Sequence, residues 1–322
     1  MKKVSKSKYL GCHLAGSVSG TVAATVSRRL GLATRAIYEI RAVVEDRRAD
    51  TLGGFKVAIN IWEQTVIPML LFGSEVWRNI PKKTIDHLDR LSNQFLKSML
   101  AVGKHGCPTV LLYLETGTPT MSNRILENKL LFVYHLSRLP RSSLASEFYQ
   151  VQKSKGIPSI VTECKEYFQK WNVGNIADYS KQQFKRLIKK NLAIKNKADL
   201  LQRAKNLKKV KIENYESGEF KIKDYFNYLN LKNSRTIFKR NSFMLKTIRS
   251  NFKSDRRYKA EDYLCPDCLA LDTPVSHQDT QEALATCQGN SDLRQGLELN
   301  NLKQEAEYYQ SIIERRIKNF GG

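Results

Sequence analysis

Apolar residues recur along most of this chain at intervals of three and four, the spacing of a helix with one buried face. Val22, Val26, Leu30, Ile37, Ile40 and Val44 mark a long helix, or two, over residues 21–48, with a slip near Gly31. A loop at residues 51–54 precedes a helical segment over 55–77, with Val57, Ile61, Val66, Met69 and Leu70 as core candidates. Pro68 falls inside it and predicts a kink, because proline has no N–H for the helical ladder. Pro81 suits a first helical position, and Ile85, Leu88, Leu91, Phe95 and Met99 continue from it. A short helix is predicted from Pro108 to about Gly117. Another runs from Met121 to Leu139, with Ile125, Leu130, Val133 and Leu136 inside and Pro140 as its stop.

Beyond Pro140 the pattern weakens, and residues 141–180 read as a linker region. Leu187, Ile188, Ala193, Ile194, Leu200 and Leu201 restore some helical periodicity. Ile212, Tyr215, Phe220, Ile222 and Tyr225 alternate instead, which predicts a short strand pair or an exposed aromatic segment. A last helix is predicted from Leu302 to Ile317. The expected fold is mainly α: a helical domain over residues 1–155, a basic helical linker over 156–259, and a small C-terminal region over 260–322.

Charge changes this picture more than composition does. Lys and Arg number 54 against 31 acids in 322 residues, a net +23. The excess is concentrated: residues 181–259 hold 24 basic and 6 acidic side chains, a net +18, whereas 261–322 hold 5 and 11, a net −6. A block of one sign repels itself unless an anionic partner relieves it, and nucleic acid is the commonest such partner. Within the block, Lys185, Arg186, Lys189, Lys190, Arg203, Lys208, Lys209, Arg235, Lys239, Arg240, Arg256 and Arg257 are the candidate contacts to RNA or DNA. They are interleaved with Phe184, Tyr215, Phe220, Tyr225, Phe226, Tyr228, Phe238, Phe243, Phe252 and Tyr258. Cations neutralise phosphates and aromatic faces stack bases, so the mixture fits a single strand. A solvated helix face with ordinary core aromatics is the competing reading of any one of these residues.

No run of about 18 apolar residues is present, so no membrane span is expected. The basic N-terminus lacks the apolar stretch of a secretory signal. The cysteines are not spaced as a disulfide framework, and an intracellular, reducing setting, nucleus or cytoplasm, is expected. One close pair stands out, Cys265 and Cys268, with His277 and Cys287 beyond it, a C-x2-C-x8-H-x9-C pattern. Three thiolates and an imidazole make a closed tetrahedral set, which predicts a structural zinc site. Two thiols without metal are the alternative. Cys12, Cys107 and Cys164 are isolated and read as buried or incidental, and His13, His87, His105 and His135 belong to no paired motif. Phosphate-loop, metalloprotease and serine-hydrolase motifs are missing, and no two aspartates are adjacent.

Several segments in order resemble one family. Tyr9-Leu10-Gly11, then Phe72-Gly73-Ser74-Glu75-Val76-Trp77, then Leu114-Glu115-Thr116-Gly117-Thr118-Pro119 are similar to the thumb and downstream helices of LINE-type, non-LTR retrotransposon reverse transcriptases. The Cys265, Cys268 and Cys287 set, Asp279-Thr280-Gln281-Glu282 before the last cysteine, and the helix ending Glu314-Arg315-Arg316-Ile317 resemble that family's terminal Cys/His knuckle. The resemblance implies a thumb-like helical domain, a basic linker that holds template RNA or target DNA, and a zinc knuckle followed by a helix. Ala283 stands about where the family carries the knuckle histidine, which leaves His277, from a shifted position, as the fourth ligand. The family's paired catalytic aspartates lie on a palm upstream of the matched region. The chain is therefore expected to be the C-terminal part of an RNA-directed DNA polymerase, without polymerase activity of its own. A host-adopted nucleic-acid-binding protein and a helical scaffold for acidic proteins are the other two readings.

Overall fold

The computed structural model describes the chain apart from residues 1–5, 10, 11, 16, 49–51, 104–106, 156, 157, 206, 208–212, 243–266, 268–280, 321 and 322. It is mainly helical. A short antiparallel hairpin, β1 (Lys6–Tyr9) and β2 (Cys12–Ala15), opens it, with Lys6 opposite Ala15 and Tyr9 opposite Cys12. The helices that follow are α1 (Val18–Arg48), α2 (Gly54–Ile61), α3 (Ile67–Leu71), α4 (Lys82–Met99), α5 (Thr109–Thr116), α6 (Met121–Ser137), α7 (Leu144–Ser154), α8 (Ile160–Lys170) and α9 (Lys181–Ala204). Then come the single turns α10 (Glu213–Glu216) and α11 (Tyr225–Tyr228), α12 (Leu231–Asn241), α13 (Gln281–Leu284), α14 (Ser291–Arg294) and α15 (Leu302–Phe320).

Over residues 21–48, where the spacing predicts one long helix or two, α1 is a single helix that runs through Gly31 without a break. Around Pro68 the helical run over residues 54–71 is continuous but not regular. One π-helical turn, Trp62–Val66, precedes α3, and the Ile67 amide bonds back to the Trp62 carbonyl. Proline removes the donor that the normal ladder needs, and the widened turn takes up the mismatch. The stretch 141–180 is not a linker, because α7 and α8 occupy it. Ser143 caps α7 by accepting from the Ser146 amide, and Ser159 and Thr162 form a reciprocal cap on α8. The alternating residues 211–231 form no strand pair among the described residues; α10 and α11 lie there instead.

The chain divides into two compact units that cross the expected 1–155, 156–259 and 260–322 boundaries. The first draws on Met1–Arg41, Ile59–Leu96 and Leu112–Ile222, the second on Ala42–Ala58, Lys97–Leu111 and Lys223–Gly322. In the first unit, α6 packs against α7, α8 and α9. Leu126, Leu130, Val133 and Tyr134 from α6 meet Tyr149, Val161, Cys164, Phe168, Phe184, Ile188 and Leu192 in one apolar cluster. Trp62 stacks on Phe95, with ring centroids 4.3 Å apart. Arg29 ties α1 to the end of α3 by donating to the carbonyls of Leu70 (3.2 Å) and Phe72 (2.6 Å), groups that a helix C-terminus leaves without partners. Arg124 donates to both carboxylate oxygens of Glu63, at 2.6 and 2.5 Å. Lys129 likewise reaches both oxygens of Glu163 on α8, at 2.8 and 2.9 Å.

The second unit is smaller. Phe55 stacks on Phe226 at 4.1 Å, and the Gly53 amide donates to the Leu229 carbonyl at 3.0 Å. Helix α15 lies on α12. Leu284, Tyr308, Tyr309 and Ile312 form its terminal core, and the Tyr308 hydroxyl donates to the Leu284 carbonyl at 2.6 Å.

Candidate nucleic-acid interface

Helix α9 begins with a Ser180–Gln183 capping box that satisfies two of its open amide groups. Phe184, Ile188, Leu192, Asn196, Leu200 and Ala204 then repeat every four residues as its buried stripe. Phe184 is fully buried, stacked on Tyr134 at 4.3 Å and edge-on to Phe168 at 5.9 Å. That stripe fixes which residues face outward. Lys181, Lys185, Arg186, Lys189 and Lys190 are all exposed, and none makes an ion pair with a described residue.

Four of these cations, from Lys185 to Lys190, fall within about 7.5 Å of helix axis and about 140° of its circumference. The arrangement works against the helix itself. Lys185 with Lys189, and Arg186 with Lys190, are like-charge pairs at i,i+4, each unfavourable by roughly 0.2–0.5 kcal/mol. Lys181 and Lys185 also sit near the positive end of the helix dipole. A charge density that opposes local stability is relieved by a bound polyanion. Duplex DNA, with one negative charge per about 1.7 Å of axis counted over both strands, is a polyanion of the density that such a cluster of cations complements.

The C-terminal half of α9 differs. Lys195 is paired with Asp199 at 2.6 Å and donates to Asn123 at 3.1 Å. Lys197 donates to the carbonyls of Glu216 (2.6 Å) and Gly218 (2.7 Å). Arg203 is exposed, and its charge acts on the half-buried Asp89 carboxylate. Burial pushes the Asp89 carboxyl up, while the amide of Met121, donating at 3.0 Å, and Arg203 oppose this.

Two of the three candidate cations on α12, both arginines, are held in ion pairs. Arg235 donates to Glu45 at 2.7 Å and to the Met99 carbonyl at 2.7 Å. Arg240 faces Glu305 at 2.8 Å, and Lys239 is half-buried. Lys208, Lys209, Arg256 and Arg257 lie outside the described residues, as do Phe243, Phe252 and Tyr258.

The aromatic residues of the basic block require a correction. Phe184, Tyr215, Tyr225, Phe226 and Phe238 are core, each 6 % exposed or less, so they have no face to offer a base. Phe220 is half-buried, and Tyr228, at 47 %, is the exposed one among those described. Tyr215 instead serves the fold, because its hydroxyl donates at 2.6 Å to Glu115, a buried carboxylate in the segment Leu114–Pro119. In the same segment Gly117 has φ +61°, and a Cβ there would collide with the backbone of Lys221 and Ile222. Residues 213–222 therefore strap across this turn.

Of the predicted zinc ligands, Cys287 is described and fully buried, directly before a short 3-10 turn. Burial first, with Cys287 as a lesser contributor, pushes the neighbouring Tyr308 phenol up to about 12. Cys265, Cys268 and His277 lie outside the described residues, and no cluster of three or more metal-ligating side chains occurs among those described. Asp267, between the two cysteines of the close pair, is described. It accepts from Asn290 at 3.0 Å and from Arg316 at 3.0 and 2.5 Å. Asn290 is three residues past Cys287, so the backbone at Asp267 is held close to the Cys287 turn. Arg315 pairs with Asp292 alongside. Cys107 is also buried, and burial pushes the Cys164 thiol up to about 12, far from a reactive thiolate.

Three features go beyond what the sequence pattern predicts. Lys181 has only its charge as a signal. The Glu115–Tyr215 pair, 100 residues apart, leaves no local trace. The capping boxes at Ser159 and Ser180 do have a signature, a Ser with Thr or Gln three residues later. No family model matches the chain, nor does any curated protein or solved structure. No described helix is long and apolar enough to cross a membrane.

Proposed function

We propose that this chain binds nucleic acid through the phosphate backbone, with Lys185, Arg186, Lys189 and Lys190 of α9 as the central contact and Lys181 beside them. The observation that carries this is the exposed group of four cations, with no acid paired to them among the described residues, on a helix whose own energetics they oppose. The burial of the neighbouring aromatics favours backbone contact over base stacking. The resemblance to the thumb, linker and knuckle of non-LTR reverse transcriptases supplies the biological setting: a nucleic-acid-binding part of a retroelement polymerase, holding template RNA or target DNA. A host-adopted binding protein would use the same surface.

Zinc belongs to this proposal as a structural element. Cys265, Cys268 and Cys287 would supply thiolates and His277 the fourth donor, and the metal would tie the two cysteine-bearing segments together. The contact of Asp267 to Asn290 supports the fit, since it joins the same two segments. A metal-replete preparation should carry about one zinc per chain, and Cys265→Ser should lose it.

A salt titration tests the main reading. The affinity of the purified chain for a duplex of about 20 base pairs should fall with log salt at a slope of about −3 to −4, four contacts at about 0.9 each. Failure to bind at about 50 mM salt would overturn it and favour a scaffold for acidic proteins.

A further inference from the structure

Helices α12 and α15 are matched in charge as well as in shape. On α12, Lys232 and Arg240 are eight residues apart, a rise of about 12 Å; on α15, Glu305 and Glu314 are nine apart, about 13.5 Å. Arg240 meets Glu305 at 2.8 Å and Lys232 meets Glu314 at 3.2 Å. The N-terminal part of one helix thus pairs with the C-terminal part of the other, so the two run antiparallel with both acids in register. Between the ion pairs Gln310 donates to Asn233 at 2.7 Å and to Thr236 at 3.2 Å. The remaining α12 arginine, Arg235, is held by Glu45.

Neither pair is well placed as a stabilising device. Lys232 and Glu314 are 62 % and 65 % exposed, where an ion pair contributes little. Glu305 is buried and its partner Arg240 only half so. The desolvation of the Glu305 carboxylate outweighs what Arg240 returns, since burial raises its carboxyl overall. These acids instead occupy the cations of a helix that lies within the strongly basic stretch, and they come from the stretch of opposite net charge.

We infer that α15 is an intrachain competitor for polyanions: Glu305 and Glu314 hold Arg240 and Lys232, and nucleic-acid backbone gains those cations only by displacing the two carboxylates. The inference rests on the reading of the chain as a backbone binder. It makes α12 a concealed second contact, released by competition, in addition to the open contact on α9.

The double variant Glu305→Gln/Glu314→Gln removes both charges while keeping side-chain shape and an acceptor for Arg240. Binding to a labelled DNA duplex of about 20 base pairs is measured by fluorescence anisotropy from about 50 to about 300 mM salt, with circular dichroism to confirm the helix content. The variant should bind roughly tenfold tighter at about 100 mM salt, with a salt slope steeper by one to two. Adding Lys232→Ala and Arg240→Ala to it should return both quantities to wild-type values. A gain that survives those two alanines would overturn the inference, because it would not depend on the α12 cations; an equal gain from Glu147→Gln/Glu166→Gln, two exposed acids on other helices, would overturn it as an effect of net charge alone. A wild type that binds together with an unchanged double variant overturns the inference and leaves the α9 reading intact. A wild type that does not bind, with a double variant that does, overturns the α9 reading and supports the competitor. Absence of binding by both sinks the two together.

Discussion

Helices α9 and α12 come from the same basic block and share its composition, yet their cations do different things. On α9 the buried stripe leaves Lys185, Arg186, Lys189 and Lys190 outward, with no acid opposite among the described residues. On α12, Arg235, Arg240 and Lys232 each have a carboxylate within 3.2 Å, from Glu45, Glu305 and Glu314. A charge count treats the two helices alike. What separates them is the neighbour that packing delivers: the N-terminal half of α9, whose cations meet no acid among the described residues, keeps a field that α12 does not.

The largest expected effect falls on the open helix. Replacing Lys185, Arg186, Lys189 and Lys190 by alanine should weaken duplex binding at about 100 mM salt by on the order of 10³- to 10⁴-fold. The fold should be unharmed or slightly firmer, because alanine favours helix and two like-charge pairs disappear. A loss of under about fivefold would place the contact elsewhere.

Next is the division between cations and aromatics. Phe184→Ala should lower stability by about 3–4 kcal/mol in urea unfolding, as a truncated core aromatic does. Below the unfolding transition the affinity should stay within a factor of about two. A stable variant that binds poorly would restore Phe184 as a base-stacking residue.

On α12, Arg235→Ala should cost about 2–3 kcal/mol, since it strips hydrogen bonds from Glu45 and from the Met99 carbonyl. Duplex affinity should not change. Equal losses in stability and affinity would erase the contrast between the helices.

The smallest effect is a pH dependence. Burial, partly offset by Arg240, holds the Glu305 carboxyl above its ordinary 4.5. The folded chain therefore favours the protonated acid. That contribution is in full below the unfolded-state value and is lost as pH rises through the raised folded-state value. Glu305→Gln carries no such dependence, so its stability relative to wild type should increase across that window. Parallel stability curves would mean that Glu305 is not desolvated as the packing indicates.

The long helices are legible in the sequence because their periodicity is sustained: Leu88, Leu91, Phe95 and Met99 keep one face over about three turns, and all are buried. Helices α7 and α8 span eleven residues each, with Pro140 before α7 and Gly156 and Pro158 between the two, and such short patterns are easily taken for a linker. Their serine caps are the stronger signal. The alternation around Tyr215 misleads because it reflects side chains pointing at different neighbours, Glu115 in one case, along an irregular strap. The candidate site is half legible. Charge locates the block, but Lys189 and Arg240 look alike in sequence, and Phe184 looks like a stacking residue until its partners Tyr134 and Phe168 are known. Burial and ion pairing are decided by residues up to 190 positions away, as Arg235 and Glu45 show.

Lysine acetylation footprinting separates the two helices in a single measurement. The chain is labelled briefly with and without saturating duplex DNA at about 50 mM salt, and each lysine is quantified by mass spectrometry. Lys185, Lys189 and Lys190 should lose reactivity several-fold in the complex while Lys232, held by Glu314, keeps its own. Protection of Lys232 with unchanged labelling at Lys185, Lys189 and Lys190 would contradict the assignment of the open contact to α9.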